Sequence, residues 1–333
     1  MIDEIIAAVK NARIDEPINE LLFNETHFDC TNDLIFFIKP EITLADDKIK
    51  LEEILEMIFE KIECYNFKIK NIRIINAAYL EKHNIIAQHY GVINKLSKDI
   101  NNSITAEGRA KFETIFGINF NKAEVLGSLE FIEKYPHFTA TGLSYLWQNA
   151  ATEKLAGGTY AQKLSLDGKD VYLINGFHPR QLEHFIAKGK TIITMTLTGN
   201  TAWKVARNSF IGKTDPEQAE AGSIRNELLA NKASFGLQSV SSSWNGVHLS
   251  AGPIEGLVEL VRYNSDFEND LPDSIMNYKL GVKLTEILGE KTALRLLENP
   301  LVKANDKTES VFDLTEELDS ENCVELLKGI EIL

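Results

Sequence analysis

The chain has 333 residues, of which 44% are hydrophobic and 25% are charged, a composition that suits one large domain or two of moderate size. Its formal net charge is −14, and no Lys/Arg cluster interrupts the acidic balance. Because a duplex-binding protein carries a basic face, nucleic acid is not expected as the primary ligand. A small anionic ligand remains compatible with this charge, since a few cations in one pocket can offset it locally.

The N-terminus and the cysteines favour a reducing, cytoplasmic setting. Residues 1–17 are acidic and amphipathic, without the basic start and apolar block of a signal peptide. No segment approaches the roughly 18 uninterrupted apolar residues of a membrane span, so no membrane partner is expected. Cys30, Cys64 and Cys323 lie far apart, which predicts buried thiols rather than a disulfide or a metal site.

The first hundred residues predict alternating helices and strands. Leu34–Ile38 is a continuous apolar run, typical of a strand buried on both faces, and it stops at Pro40 because proline cannot continue a central strand. This order favours a sheet with helices packed on it. Apolar spacing predicts the other elements, namely a helix over about 2–23, a helix over 48–64, a strand over 67–78 and a helical pattern over 79–98.

The rest of the chain is less regular. Asp167-Gly168 supplies the turn chemistry of a hairpin between 163–166 and 171–174. The final 70 or so residues have a mostly helical pattern. Between these regions the sequence predicts a helix over about 179–188, a strand over 190–198, a helix over 200–208, a turn-rich loop over 211–224, a strand-like approach to His248 and a helix over 253–263.

Two pieces of the first half have residue types that suit a phosphate site. Lys39 stands where a buried strand ends, and from there its ammonium can project into a cleft at the sheet edge. Taken alone, a solvated surface lysine is the alternative. His89-Tyr90 lies on a predicted helix, where such a pair usually fills core or surface.

A loop punctuated by glycine and proline supplies two further candidates. Thr214 offers a hydroxyl, and Arg225 offers a planar fork that can donate two charge-assisted hydrogen bonds to phosphate. Gly212-Lys-Thr214 lacks the upstream glycine of a Walker A loop, so that motif is rejected. Phe177 with Leu182 could sandwich a nucleobase by stacking, although core packing is the alternative.

The most informative motif is Asn245-Gly-Val-His248-Leu-Ser250. It is followed by Gly252-Pro253, a good helix start, so His248 precedes a helix N-terminus where developing negative charge is favoured. Glu259, farther along that helix, is a carboxylate that can fix the tautomer of the imidazole and stabilise its protonated form. A structural histidine beside Trp244 is the alternative, and spacing alone does not decide between the two.

Taken in order, these motifs resemble those of the nucleoside diphosphate kinase family. Phe37-Ile-Lys-Pro-Glu41 looks like the family's first strand with its phosphate-contacting lysine, and His89-Tyr90 looks like its helical HY pair. Gly212-Lys-Thr-Asp-Pro216 and Gly222-Ser-Ile-Arg225 look like its G-x-T-(N/D)-P and G-(T/S)-I-R segments.

The histidine motif completes the resemblance. Asn245–Ser250 resembles the N-x-x-H-G-S signature around the phosphorylated histidine, and Glu259 stands at the position of the histidine-orienting glutamate. The resemblance covers about 33–95 and 177–265. It implies an α/β (α+β) fold in which helices pack on a ferredoxin-like, four-stranded antiparallel sheet, with an inserted subdomain and helical extensions.

The resemblance also implies a division of the chain. The expected parts are an N-terminal helical extension at 1–30, a kinase-like domain at 31–265 with an insertion at about 96–176, and a helical C-terminal extension at 266–333.

Several positions depart from the family pattern. The glycine after the active histidine is Leu249, and the aspartate after Ser250 is Ala251. The position expected for a second family arginine falls on Asn208, with Arg207 one residue away. The carboxylate expected just beyond Tyr90 is replaced by Val92, and Phe177 is the candidate for the base-stacking phenylalanine.

The implied reaction is ping-pong phosphoryl transfer from a nucleoside triphosphate through a phosphohistidine at His248 to a nucleoside diphosphate. Glu259 would orient the histidine, and Lys39 and Tyr90 would complete the catalytic set. Mg²⁺ would be carried by the nucleotide, without a dedicated protein site. The residues implied to contact the nucleotide are Lys39, Thr214, Arg225, Asn245, Arg207, Phe177, Leu182 and Ser250.

Two alternatives stay open. The long insertion could reshape the cleft for a different phosphorylated acceptor. The departures at Leu249, Ala251 and Asn208 instead suit a nucleotide-binding or scaffolding protein without turnover. The presence together of Lys39, Arg225, Asn245, His248 and Glu259 argues against the second alternative. Closed symmetric assemblies are common, and we expect a homo-oligomer, with a dimer favoured.

Overall fold

A computed structural model describes residues 1–25, 29–304 and 307–333. The helices are α1 (Ile2–Asn11), α2 (Leu51–Cys64), α3 (Ala77–Lys82), α4 (Ile85–His89), α5 (Gly91–Lys98), α6 (Ile100–Ser103), α7 (Ala106–Phe116), α8 (Ser128–Lys134), α9 (Ala140–Gln148), α10 (His178–Ile186), α11 (Trp203–Val205), α12 (Ile224–Ala230), α13 (Pro253–Asn264), α14 (Lys279–Leu288), α15 (Glu290–Leu296), α16 (Val311–Thr315) and α17 (Ser320–Leu327). The strands are β1 (Asn19–Asn24), β2 (Asn32–Ile38), β3 (Lys68–Asn76), β4 (Glu124–Gly127), β5 (Glu153–Ala156), β6 (Thr159–Leu166), β7 (Lys169–Ile174), β8 (Thr191–Gly199), β9 (Val247–Leu249), β10 (Leu301–Ala304), β11 (Lys307–Ser310) and β12 (Glu331–Ile332).

The chain forms two compact units, one from Met1–His83 with Lys188–Leu333 and the other from Asn84–Ala187. The first unit is built around a five-stranded antiparallel sheet of order β1-β3-β8-β2-β9. Without β1, the chain order β2-α2-β3-β8-α12-β9 is the β-α-β-β-α-β pattern of ferredoxin-like folds. The predicted class, helices packed on a ferredoxin-like antiparallel sheet, is confirmed. The main sheet has a fifth strand because β1 pairs with β3.

The two faces of β2 explain its unbroken apolar run. Leu34, Phe36 and Ile38 belong to the cluster that also contains the buried side chains of α2. Because successive side chains of a strand point to opposite faces, Phe37 lies on the other face, where its ring centroid is 5.4 Å from that of Tyr263 in α13. The strand is therefore buried on both sides, as predicted.

Three predicted helices differ from the observed ones. The opening helix ends at Asn11, since Pro17 would break a helix interior, and 19–24 form β1 instead. The pattern over 79–98 forms α3, α4 and α5, with Asn84 in the left-handed region at φ +54°. The helix over 200–208 forms only a short α11, followed by a π-helical turn at Ala206–Phe210. The C-terminal region also contains strands, because β10 pairs with β11 and β12 beside its helices.

The second unit contains a four-stranded sheet of order β4-β7-β6-β5. Its predicted hairpin is confirmed, since β6 and β7 are joined through Asp167 at φ +50° and Gly168 at φ +76°, as a type I′ turn requires. This unit runs from Asn84 to Ala187, whereas the resemblance places an insertion at about 96–176. The domain limits taken from the resemblance stay a prediction.

Two smaller expectations concern thiols and membranes. Cys323 is buried, but Cys30 is only half-buried and Cys64 is exposed, so the prediction of three buried thiols is wrong. Cys64 closes α2 at its C-terminal end and points to solvent there. Among the described residues, no helix combines the length and apolar character that a membrane crossing requires.

Candidate active site

His248 is the central residue of β9, an edge strand of the five-stranded sheet. It pairs with Phe37 of β2, and directly opposed side chains in an antiparallel pair share one face. The two rings stack, with centroids 4.5 Å apart and planes inclined by 20°. This contact holds the plane of the imidazole against the Phe37 ring. The His248 side chain is 19% exposed.

Glu259 reaches the same face from α13. This helix begins at Pro253 with Gly252 as its N-cap, as the sequence predicts, and its Glu259 is buried. Oε1 of Glu259 lies 2.9 Å from Nε2 of His248. Because an ionised carboxylate only accepts, Nε2 carries the hydrogen, and the lone pair of the neutral ring is on Nδ1. The pair therefore makes Nδ1 the nucleophilic nitrogen.

Lys39 and Asn245 are brought together at the end of β2. The Lys39 Nζ donates to Oδ1 of Asn245 at 2.6 Å, and Asn245 Nδ2 donates to the carbonyl oxygen of Thr214 at 3.1 Å. The pKa of Lys39 is lowered to about 8, chiefly by burial; the negative charge of Glu41 opposes this shift and the positive charge of Arg225 adds to it. The Lys39 side chain therefore changes between its charged and neutral forms near pH 8.

The predicted nucleotide-contacting arginines touch the backbone. Arg225 is buried and donates from Nη1 to the Gly212 carbonyl at 2.8 Å and from Nη2 to the Val247 carbonyl at 3.1 Å. Arg207 donates from Nη1 to the Leu249 carbonyl at 2.9 Å. A phosphate contact by either arginine stays a prediction.

Ser250 and Thr214 complete the candidates of the first unit. The buried Ser250 hydroxyl donates to the Ile35 carbonyl at 3.3 Å and accepts from the Ile35 amide at 3.1 Å. This hydroxyl thus links β9 to β2. Thr214 is placed through its backbone carbonyl, which accepts from Asn245. Nucleotide contacts by Ser250 and Thr214 stay predictions.

The remaining candidates, Tyr90, Phe177 and Leu182, belong to the second unit. The Tyr90 ring lies edge-on to that of its neighbour His89, with centroids 4.7 Å apart. Phe177 precedes α10 and contacts the ring of Trp147, with centroids 5.8 Å apart. Leu182 is half-buried on α10. Their roles beside the histidine stay predictions from the resemblance.

The structure adds acidic residues that the sequence pattern did not single out. The pKa of Glu255 is raised to about 8, chiefly by burial and next by the negative charge of Glu259. Glu316 approaches Arg207, with Oε1 3.9 Å from Nη2. The sequence shows that Glu255 and Glu259 are four positions apart on a predicted helix, whereas no local pattern indicates a role for Glu316.

Comparisons with known proteins give a weak structural likeness. No protein-family model matches the sequence, and no curated protein matches it. The chain is similar to the apo, cubic crystal form of nucleoside diphosphate kinase from Encephalitozoon cuniculi, with 15% identity, a TM-score of 0.33 and coverage of 73% of this chain and 95% of that one. It is also similar to an NDP kinase from Pyrobaculum aerophilum, with 16% identity, a TM-score of 0.35 and coverage of 73% and 99%. Function is therefore inferred from the residues around His248.

Proposed function

We propose that this chain is a phosphotransferase that moves the γ-phosphate of a nucleoside triphosphate through a phosphohistidine at His248 to a nucleoside diphosphate. The observation that carries the proposal is the bond between Nε2 of His248 and the buried carboxylate of Glu259. A buried acid held on one ring nitrogen leaves the other as nucleophile and stabilises the positive charge that the ring gains.

The proposed chemistry has two balanced steps. The lone pair on Nδ1 of His248 attacks the γ-phosphorus, forming an N–P bond while the bond from phosphorus to the β,γ-bridging oxygen breaks. The diphosphate leaves with that electron pair. A terminal oxygen of an incoming diphosphate then attacks the phosphorus of the phosphohistidine, forming a P–O bond while the N–P bond breaks and its electron pair returns to Nδ1 of His248.

The neighbouring residues support this chemistry by charge and position. The ammonium of Lys39, held by Asn245, suits the charge that spreads over the transferred phosphate oxygens. In this proposal Mg²⁺ arrives with the nucleotide as part of the substrate, while Glu259 contacts His248 and Glu41 accepts from the Gly246 amide. A cytoplasmic homo-oligomer is part of the same proposal.

One observation favours a second candidate, a nucleotide-binding protein without turnover. Arg207 and Arg225 both donate to backbone carbonyls, which occupies groups that phosphoryl transfer would use. This candidate predicts nucleotide binding without a phosphohistidine. A different phosphorylated acceptor would instead leave self-phosphorylation intact and change only the second step.

The test is incubation with γ-labelled ATP and Mg²⁺ without acceptor. We expect an acid-labile, alkali-stable label on the wild type and on a His137→Ala control, and no label on His248→Ala. Chasing the labelled protein with a panel of diphosphates then defines the acceptor. An unlabelled wild type that still binds ATP would reject the kinase mechanism in favour of the binding protein.

A further inference from the structure

The outer edge of β9 is capped by two arginines. On its inner side β9 pairs with β2, where the Lys39 amide donates to the Gly246 carbonyl at 2.8 Å and the Ser250 amide donates to the Ile35 carbonyl at 3.0 Å. In an antiparallel pair these directions alternate, so the carbonyls of residues 247 and 249 point to the open edge. Arg225 and Arg207 donate to those two carbonyls.

This arrangement brackets His248, with one guanidinium on the preceding carbonyl and the other on the following carbonyl. A three-residue edge strand has few ladder bonds of its own, and its open carbonyls would otherwise need water or another strand. Charge-assisted bonds to both carbonyls therefore hold the backbone that carries the histidine.

A C-terminal stretch, residues 315–319, contacts Arg207 and residues near it. Glu316 approaches its Nη2 at 3.9 Å, and the adjacent Asn208 donates from Nδ2 to Oε1 of Glu317 at 3.3 Å. The Glu317 amide donates to the Ala251 carbonyl at 3.1 Å. Asp319 accepts from the Trp203 amide at 2.9 Å. Residues 315–319 therefore contact the segment around Arg207, through Trp203 and Asn208, and also Ala251, which lies shortly after β9.

The backbone approach at this point is close. A Cβ on Gly252 would lie 2.7 Å from the Thr315 carbonyl oxygen and 2.9 Å from Cα of Glu316, so a glycine is needed there. Two of the positions that depart from the kinase pattern, Asn208 and Ala251, are among those that contact 315–319. The departures therefore coincide with the docking of this stretch.

We infer that Arg207 is a positioning residue, which fixes the strand carrying His248, and that residues 315–319 hold it in this role. A guanidinium bonded to Leu249 and facing Glu316 would have to release the strand before offering the same N–H to a phosphate. The chemical role of His248 rests on the proposed function, whereas the effect of Arg207 on the position of β9 does not.

The test compares Arg207→Ala, Arg207→Lys and Glu316→Gln with Arg295→Ala. Arg295 is the matched control, because it also donates to a backbone carbonyl, that of Leu333, at 2.9 Å. Two quantities are measured in each protein: hydrogen–deuterium exchange of the Lys39 and Ser250 amides, and the affinity for ADP. The rate of phosphohistidine formation is followed as a third.

We expect Arg207→Ala to speed exchange of both amides about tenfold, the effect of one lost charge-assisted bond, with ADP affinity within about twofold of wild type. Arg207→Lys should restore part of the protection, Glu316→Gln should cause a smaller increase, and Arg295→Ala none. For phosphohistidine formation, kcat should fall while KM stays close to that of the wild type.

Unchanged exchange in Arg207→Ala, with or without weaker ADP binding, would overturn the inference. If Arg207→Ala does not fold, the same comparison is made on Arg207→Lys and Glu316→Gln, and unchanged exchange in both overturns it. A wild type that forms no phosphohistidine defeats the proposed function only, because the exchange result does not depend on labelling.

Discussion

Glu259 is a residue only 1% exposed, and its Oε1 lies 2.9 Å from Nε2 of His248. The carboxylate comes from a helix and the imidazole from an edge strand, and both elements pack on β2. Because the buried acid accepts from Nε2, the ring has one preferred tautomer, in which the lone pair is on Nδ1. The geometry is that of a histidine prepared to carry positive charge.

We expect Glu259→Gln to slow phosphohistidine formation about 10- to 100-fold. A hydrogen bond to a charged group contributes about 1.5–3 kcal/mol, and the amide keeps the shape while losing the charge. The rate of labelling from γ-labelled ATP measures this, with ADP affinity expected to stay unchanged. Glu255→Gln, on the same helix, is the control, and equal slowing in both variants would contradict a specific role for Glu259.

We expect nucleotide affinity to fall as the pH rises through about 8. The pKa of Lys39 is lowered to about 8 chiefly by burial, so its ammonium is charged below this pH and neutral above it. An incoming phosphate favours the charged form, so near this pH binding should take up as much as about half a proton. Calorimetry of ADP binding in buffers of different ionisation enthalpy measures the uptake.

Two variants test whether Lys39 is the group responsible. Lys39→Met should remove the proton uptake, and uptake that persists would assign it to another group. Asn245→Asp should raise the pKa of Lys39 by about one unit or more, because it replaces the amide oxygen 2.6 Å from Nζ with a negative charge. The loss of affinity should then move to higher pH.

The sequence indicated the elements whose pattern is local. Leu34–Ile38 was readable as a buried strand because every residue in it is apolar, and the turn at Asp167-Gly168 because its residues tolerate positive φ. The helix over 2–23 was wrong, although Pro17 marked its limit. Pairing of β1 with β3 joins segments about 50 residues apart, and no local pattern encodes such a pairing.

The same limit applies to the site. The pairing of His248 with Glu259 spans 11 positions and follows from a strand, a turn and a helix in succession. The contact of Arg207 with Leu249 spans 42 positions, and that of Asn208 with Glu317 spans 109. Those contacts depend on how distant segments pack, which explains why the sequence suggested a phosphate contact for Arg207 and gave no role to residues 315–319.

We expect Glu255→Gln to stabilise the protein increasingly as the pH rises from about 5 to about 8. The pKa of Glu255 is raised from 4.5 to about 8 by burial and by the charge of Glu259. The folded chain therefore holds this proton more tightly than the unfolded chain. Stability from the protonated acid is complete below about pH 4.5 and is lost as the pH approaches 8.

Denaturant unfolding of both proteins across this range measures the effect. Glutamine resembles the protonated acid, so the variant and the wild type should be equally stable near pH 5. By about pH 8 the variant should be more stable by on the order of a few kcal/mol. A constant difference across the range would show that Glu255 does not titrate there.

We expect Gly246→Ala to destabilise the protein by about 2–4 kcal/mol and to slow phosphohistidine formation. Gly246 has φ +77°, and a Cβ there would lie 2.5 Å from Cδ1 of Leu228, so backbone strain and overpacking add. Its carbonyl accepts from the Lys39 amide and its amide donates to Glu41, so a shift here displaces the start of the histidine strand.

Gly189→Ala is the matched control, because Gly189 has φ +76° and no described atom lies within 4 Å of the added Cβ. It should lose only about 1 kcal/mol, measured by denaturant unfolding, and keep its labelling rate; equal losses in the two variants would mean that the contact with Leu228 relaxes without cost.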